Sequence, residues 1–205
     1  FQVAPFGAVR IAGHGAEVLV AFDEAVAAAR GADAVVLFVG SSSTTEGEGY
    51  DRTSLDLPGD QNKLVEAVIA ANPKAVVVVN AGAAMTMPWS GNAPAIIDMW
   101  LPGEGGAAAL ANVLTGKVNP SGKLPVTFPA RTEDDTINLK GAKTPYSEGL
   151  FVGYRGYVAK GVKPLFPFGH GLSYTRFAYS ALAAPASIDG AKAIPVRVTL
   201  RNDGA

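Results

Sequence analysis

Ala75-Val-Val-Val-Val-Asn80 is a continuous β-branched run, and it constrains the fold more than any other stretch of the chain. A strand with one solvated face alternates apolar and polar side chains, so an unbroken run marks a strand covered on both faces. Two comparable runs accompany it, Ala34-Val-Val-Leu-Phe-Val39 and Pro94-Ala-Ile-Ile-Asp-Met-Trp100. Helical patterns alternate with them. Phe22 to Arg30 reads as a helix, with Asp23 favouring its first turn and Gly31 stopping it. Leu57-Pro-Gly-Asp-Gln61 leads into a second helix of about 12 residues, with Leu64, Val65, Val68 and Ile69 at helical spacing. Asn72-Pro73 ends it. A third runs from Gly105 to Leu114 and closes at Gly116. Helix and strand alternating over short connections predict an α/β fold, a three-layer α/β/α sandwich around a mostly parallel sheet.

After Gly122 the pattern dissolves. Lys123-Leu-Pro-Val-Thr-Phe128 is a short strand at best, and residues 129–180 are rich in Gly, Pro and aromatics. Such a length without regular structure wraps a domain or builds a binding surface. The expected division is therefore a sandwich over 1–184, with 123–184 as its irregular wrapping segment, and a linker and first strand of a β-type module over 185–205. Ile194 to Arg201 alternates like a strand and Asn202-Asp-Gly204 signals a turn, with no obvious pairing partner. Together with a start on Phe1, this reads as a chain cut from something larger.

Composition narrows the function classes. With 205 residues, 48% hydrophobic and 17% charged, a substantial core is available. A net charge of -1 indicates no attraction to nucleic acid or to an anionic membrane. No apolar run reaches the ~20 residues that span a bilayer. The absence of cysteine excludes disulfides and thiolate metal sites without deciding the compartment; an exported location is the expectation over a cytoplasmic one.

The candidate chemistry follows the first apolar run. Ser41-Ser-Ser-Thr-Thr-Glu-Gly-Glu-Gly-Tyr-Asp-Arg52 sets Glu46 and Glu48 on a glycine-loosened loop at a strand's carboxyl end, where open α/β sheets bind ligands. Hydrolysis of a glycosidic bond needs one carboxylic acid to protonate the leaving oxygen and a second carboxylate at the anomeric carbon. These stand ~5–5.5 Å apart in retaining enzymes and ~6.5–9.5 Å apart in inverting ones. Glu46 and Glu48 would approach from one side, whereas the substrate must lie between the pair, so the chain is expected to supply one member. Trp89 and Trp100 lie at or near strand ends, and Trp100 could stack on a sugar ring or pack half-buried in the core.

Other motifs carry less. Gly103-Glu-Gly-Gly-Ala-Ala108 resembles a dinucleotide fingerprint, but it follows the third strand rather than the first and lacks the acidic residue ~20 positions on. A tight turn feeding a helix explains its glycines. His14 and His170 are in no ligand-spaced cluster, and no GxSxG elbow occurs. Neither a metal nor any other cofactor is expected.

Seven stretches, in order, resemble the second domain of family-3 glycoside hydrolases, the β-glucosidase and β-xylosidase family. They are Glu46-Gly-Glu-Gly-Tyr-Asp-Arg52, Leu57-Pro-Gly-Asp-Gln61, Pro88-Trp89, Trp100-Leu-Pro-Gly-Glu-Gly-Gly106 through Gly116, Asn119-Pro-Ser-Gly-Lys-Leu-Pro-Val-Thr-Phe-Pro129, Glu148-Gly-Leu-Phe-Val-Gly-Tyr-Arg155 and Phe166-Pro-Phe-Gly-His-Gly-Leu-Ser-Tyr-Thr-Arg-Phe177. The resemblance covers residues 20–180 or so.

It implies a retaining β-glycosidase with its two carboxylates on different domains, an aspartate nucleophile on an N-terminal (β/α)8 barrel and a glutamate acid/base on the sandwich. The family's motif assigns that glutamate to Glu48, with Glu46 as the fallback and Tyr50 and Trp100 as candidate substrate contacts. Asp51 and Arg52 match the motif as an ion pair shaping the loop. The implied substrate is a β-linked glucoside or oligosaccharide, and the implied partner is the barrel of the same protein. Against the family pattern the barrel is expected to be missing from this chain, and the sandwich's opening portion to be absent or reduced to Phe1–Ala21. Residues beyond 185 resemble the start of a fibronectin type III-like module. The rival reading is a non-catalytic carbohydrate-binding or structural domain; a flavodoxin-like nucleotide binder is the second rival.

Overall fold

The computed structural model describes residues 16–49, 52–134 and 146–204, with side chains from residue 22 onward. Ten elements follow in chain order: α1 (Ala16–Gly31), β1 (Val35–Gly40), α2 (Gln61–Ala71), β2 (Ala75–Asn80), β3 (Ala95–Asp98), α3 (Gly106–Leu114), a 3-10 turn at Thr132–Asp134, α4 (Tyr154–Lys160), β4 (Phe177–Ala183) and β5 (Arg197–Asn202).

The predicted parallel sheet forms. Its order is β1-β2-β3, with Val35 beside Ala75 and Val76 beside Ala95. The β-branched run occupies the centre, where Val77 and Val78 are fully buried. Burying a valine side chain contributes about 1.5 kcal/mol or more, so this strand anchors the domain. Leu64 and Val68 of α2 join Ala25 and Ala29 of α1 over one face of the sheet, with Val35 and Leu37 packed against them. Strand alternation turns Val36 and Phe38 to the opposite face. The α/β fold expected from the alternation is therefore present.

Two boundaries and one helix differ from the sequence expectation. α1 begins at Ala16, six residues before Phe22, so Asp23 lies in its interior rather than its first turn. Nothing in Ala16-Glu-Val-Leu-Val-Ala21 interrupts a helix, and Asp23 is tolerated there because it is exposed. β3 stops at Asp98 because Trp100 leaves the strand at φ 52°. α4, inside the segment expected to be irregular, is masked in sequence by three glycines. Gly153 caps it, Gly156 is buried in it, and Gly161 ends it in the left-handed conformation.

Two compact units divide the described residues. One holds those up to Gly106 together with Pro125–Gly169, and the other holds Ala107–Leu124 with the residues from His170 onward. In the first, Phe128 pairs with Phe166 through a backbone bond of 2.8 Å and an edge-on ring contact; this single bridge replaces the strand considered at Lys123–Phe128. In the second, the Asn119 side chain accepts from the Tyr174 amide at 2.8 Å and donates to the Ser173 hydroxyl. The backbone carbonyl of His170 accepts from Leu124. β5 is not left unpaired, as its sequence suggested. It runs antiparallel to β4, with Tyr179 opposite Leu200, and this pairing spans the expected 184/185 division. His14 lies outside the described residues.

The carboxyl end of β1 is held by a side chain of α2. Gln61 accepts from the Gly40 amide at 2.7 Å and donates to the carbonyls of Gly40 at 2.9 Å and Pro58 at 3.0 Å. A Cβ at Gly40 would overlap the carbonyl of Asn80, so only glycine fits this close approach of β1 to β2. Gln61→Ala removes three bonds and orphans the Gly40 amide. It is expected to cost about 2–3 kcal/mol in urea unfolding with an unchanged m-value.

Candidate functional site at the carboxyl ends of the strands

From Gly40 the chain enters the acidic loop, which is stitched by its own hydroxyl groups. The Ser42 amide donates to Thr45 Oγ1 at 2.9 Å, and the Ser42 carbonyl accepts from the amides of Thr45 and Glu46, both at 2.9 Å. The run Ser41 to Thr45 is thus a turn of the kind short hydroxyl side chains stabilise. It delivers the two glutamates into different environments.

Glu46 is half-buried and engaged. Its Oε2 accepts from the Ser41 hydroxyl and from the Gly82 amide at 3.1 Å, tying the loop after β1 to the segment after β2. A Cβ at Gly82 would overlap Glu46 Oε1 and come within 3.3 Å of Leu101 Cδ1. The acidic loop and the segment after β3 therefore meet over a bare glycine. Glu48, two residues on, is exposed and makes no hydrogen bond to any described residue. Tyr50 and Asp51 lie outside the described residues. Arg52 donates to the Met85 sulfur at 2.9 Å, and its Nη1 is buried without a partner among the described residues.

The two tryptophans part company. Trp89 is 1% exposed and donates to Asn62 Oδ1 at 2.8 Å, so it belongs to the core. Trp100 is half-buried just beyond β3, with its ring edge-to-face with Phe128 at 5.7 Å between centroids. The glycines that follow it serve a turn: Gly103 has φ 63°, and a Cβ at Gly106 would sit 2.6 Å from Pro102.

Sequence patterning does not single out two residues that shape this site, Gly82 and Asp98. Asp98 ends β3, and its Oδ1 accepts from the Trp100 amide at 3.1 Å while its Oδ2 is buried without a partner among the described residues. Burial raises its pKa from 3.8 to about 6, against the lowering effect of the Trp100 amide. The available signal was a lone carboxylate inside an apolar run, Ala95-Ile-Ile-Asp-Met99.

The raised value has a definite consequence for stability. The folded chain keeps the Asp98 proton up to about pH 6, whereas the unfolded chain releases it near 3.8. The contribution of the neutral carboxyl is complete below the unfolded value and is lost as pH rises through the folded one. Asp98→Asn is expected to stabilise the chain at pH 7.5 by on the order of 1 kcal/mol, after discounting for solvent screening. That gain should vanish at pH 4, as read by thermal unfolding across this range.

The comparisons with known proteins agree with one another. The profile of the glycosyl hydrolase family 3 C-terminal domain matches residues 5–174. The thermostable beta-glucosidase B of Acetivibrio thermocellus is 43% identical over 187 residues, covering 89% of this chain and 25% of that protein. DesR, a beta-glucosidase from Streptomyces venezuelae solved in complex with D-glucose, superposes with a TM-score of 0.84 at 43% identity, over 92% of this chain and 24% of that one. Beta-glucosidase 3B of Thermotoga neapolitana does so with a TM-score of 0.76 at 33% identity, over 89% of this chain and 27% of its own. The chain thus spans about a quarter of the length of these relatives. Matched in sequence over most of its length, and in fold by β-glucosidases of solved structure, the chain belongs to the glycosyl hydrolase family 3 C-terminal domain family.

Proposed function

We propose that this chain is the C-terminal part of a retaining, exo-acting β-glycosidase of β-glucosidase type, in which Glu48 is the general acid/base. The observation that carries the choice of Glu48 is the contrast within the loop. Glu46 spends its carboxylate on the Ser41 hydroxyl and the Gly82 amide, while Glu48 stands exposed with none of its oxygens committed to a described residue. A group that must give up and recover a proton in each turnover needs that freedom; one that anchors a loop does not have it.

In the proposed first step, Glu48 passes its proton to the glycosidic oxygen as the C–O bond breaks. An aspartate on an N-terminal barrel takes the anomeric carbon as a covalent ester. In the second step Glu48, now a carboxylate, removes a proton from water as that water displaces the aspartate, and configuration at the anomeric carbon is retained. The substrate is a terminal, non-reducing β-D-glucosyl residue, and the residues gripping that sugar belong to the barrel. The domain division that goes with this reading is a sandwich over 1–184 and the start of a fibronectin type III-like module over 185–205.

Two measurements test this reading. In the enzyme that carries both domains, Glu48→Gln is expected to lower kcat/KM for glucosides with poor leaving groups by roughly 10²–10⁴. Activated aryl glucosides, which need little proton assistance, should suffer less, and azide should restore turnover of their glycosyl-enzyme. Unchanged hydrolysis of the poor-leaving-group substrates would sink the assignment, and an equal loss in Glu46→Gln would move it to the neighbour. The 205-residue chain by itself is expected to give no turnover of aryl β-glucosides, since it holds one carboxylate of the pair. Hydrolysis by the pure chain would refute the divided site.

A further inference from the structure

Trp100 has an uncommon backbone. It is one of three non-glycine residues with positive φ among the described residues, at 52°, a region that costs a bulky side chain on the order of 1 kcal/mol or more. Such a conformation persists where something local enforces it. Here the enforcing contact is Asp98, whose Oδ1 accepts the Trp100 amide two residues on, closing an Asx turn at the end of β3. The second oxygen of the same carboxyl is buried without a partner among the described residues, a cost the domain bears for having an acidic side chain at this position. Burial also pushes its pKa up to about 6, in keeping with a carboxyl placed for its hydrogen bond rather than for its charge.

The turn fixes where the indole goes. Its ring meets Phe128 at an interplanar angle of 76°, and Phe128 is itself buried at 1% exposure and braced by Phe166. An edge-to-face contact covers at most one face of the indole, so Phe128 leaves at least the other uncovered. The next residue, Leu101, is 73% exposed and reaches the space over Gly82 where Glu46 also lies. Trp100 is therefore the chain neighbour of the residue that meets the acidic loop over Gly82.

We infer that Asp98 is a positioning residue that holds Trp100 as an aromatic platform for the leaving-group portion of the substrate. The inference rests on the acid/base reading of the acidic loop, because a general acid protonates the leaving oxygen and what lies beside it contacts the aglycone. Flat apolar faces of sugars and aryl groups stack on an indole, and a pre-set ring binds them without first losing rotamer freedom. A platform of this kind binds ground state and transition state alike, so its loss falls on KM more than on kcat.

Two experiments test it. In the 205-residue chain, Trp89 is buried and hydrogen-bonded, so collisional quenching of indole emission reports mainly on Trp100. Asp98→Ala is expected to weaken the near-ultraviolet circular dichroism of indole and to change acrylamide quenching. Asp98→Asn, whose amide oxygen accepts the same bond, should restore both, and Asp98→Ala in a Trp100→Phe background should change neither. Native spectra in Asp98→Ala, or no rescue by Asn, would overturn the positioning role. In the two-domain enzyme, Asp98→Ala and Trp100→Leu should each raise KM for cellobiose and aryl β-glucosides roughly three- to tenfold, with a smaller change in kcat. Trp100→Leu leaves the Asp98 turn intact and so keeps the test decisive if Asp98→Ala does not fold. An unmoved KM in Trp100→Leu would overturn the platform. The spectral arms do not involve Glu48, so failure of the acid/base assignment and failure of this inference give different results.

Discussion

Burial of β2 on both faces is the constraint from which the first unit follows. Val77 and Val78 have no exposed surface, and they reach that state only with β1 and β3 as hydrogen-bonded neighbours and helices over the sheet. β2 pairs in parallel with both neighbours, β1 reaching it through α2, and parallel pairing places every strand's carboxyl end on the same side. The acidic loop, the Gly82 segment and the Trp100 turn all emerge there for that reason. Their proximity is a consequence of the sheet.

Within that arrangement, position is set by a few polar side chains acting on backbone. Gln61 holds Gly40, Glu46 holds Gly82, Asp98 holds the Trp100 amide, and Asn72 ties the ends of α1 and α2 by donating to the carbonyls of Ala29 and Ala32 at 2.8 Å each. Each satisfies a backbone group that the end of a regular element leaves open. This division of labour also explains why a loop with two carboxylates can use one structurally and leave the other exposed.

Several stretches that resemble the family turn out to be fastened to one another or to the core. The Asn119 segment is bonded to Ser173 and Tyr174, and the Phe128 segment is bridged to Phe166. Gln61 grips β1, and Trp89 is pinned by Asn62. Much of the recognisable sequence therefore serves assembly of the fold.

The three strands, α2, α3 and the loop bearing Glu46 and Glu48 were legible in the sequence, because unbroken β-branched runs and helical spacing are local signals of burial. α4 was not legible, since glycines at 153, 156 and 161 hide a helix of seven residues. The pairing of β5 with β4 was also out of reach, being a contact between segments about 20 residues apart that no local pattern encodes. By itself the sequence determined the α/β alternation and the identity of the acidic loop. Only the tertiary structure decided that Glu46 is tethered while Glu48 is exposed, that Trp89 is core while Trp100 is half-buried against Phe128, and that Asp98 closes the Trp100 turn. Those distinctions depend on which backbone groups come within hydrogen-bonding distance once the strands are packed, and distance across a fold is not written in the order of residues.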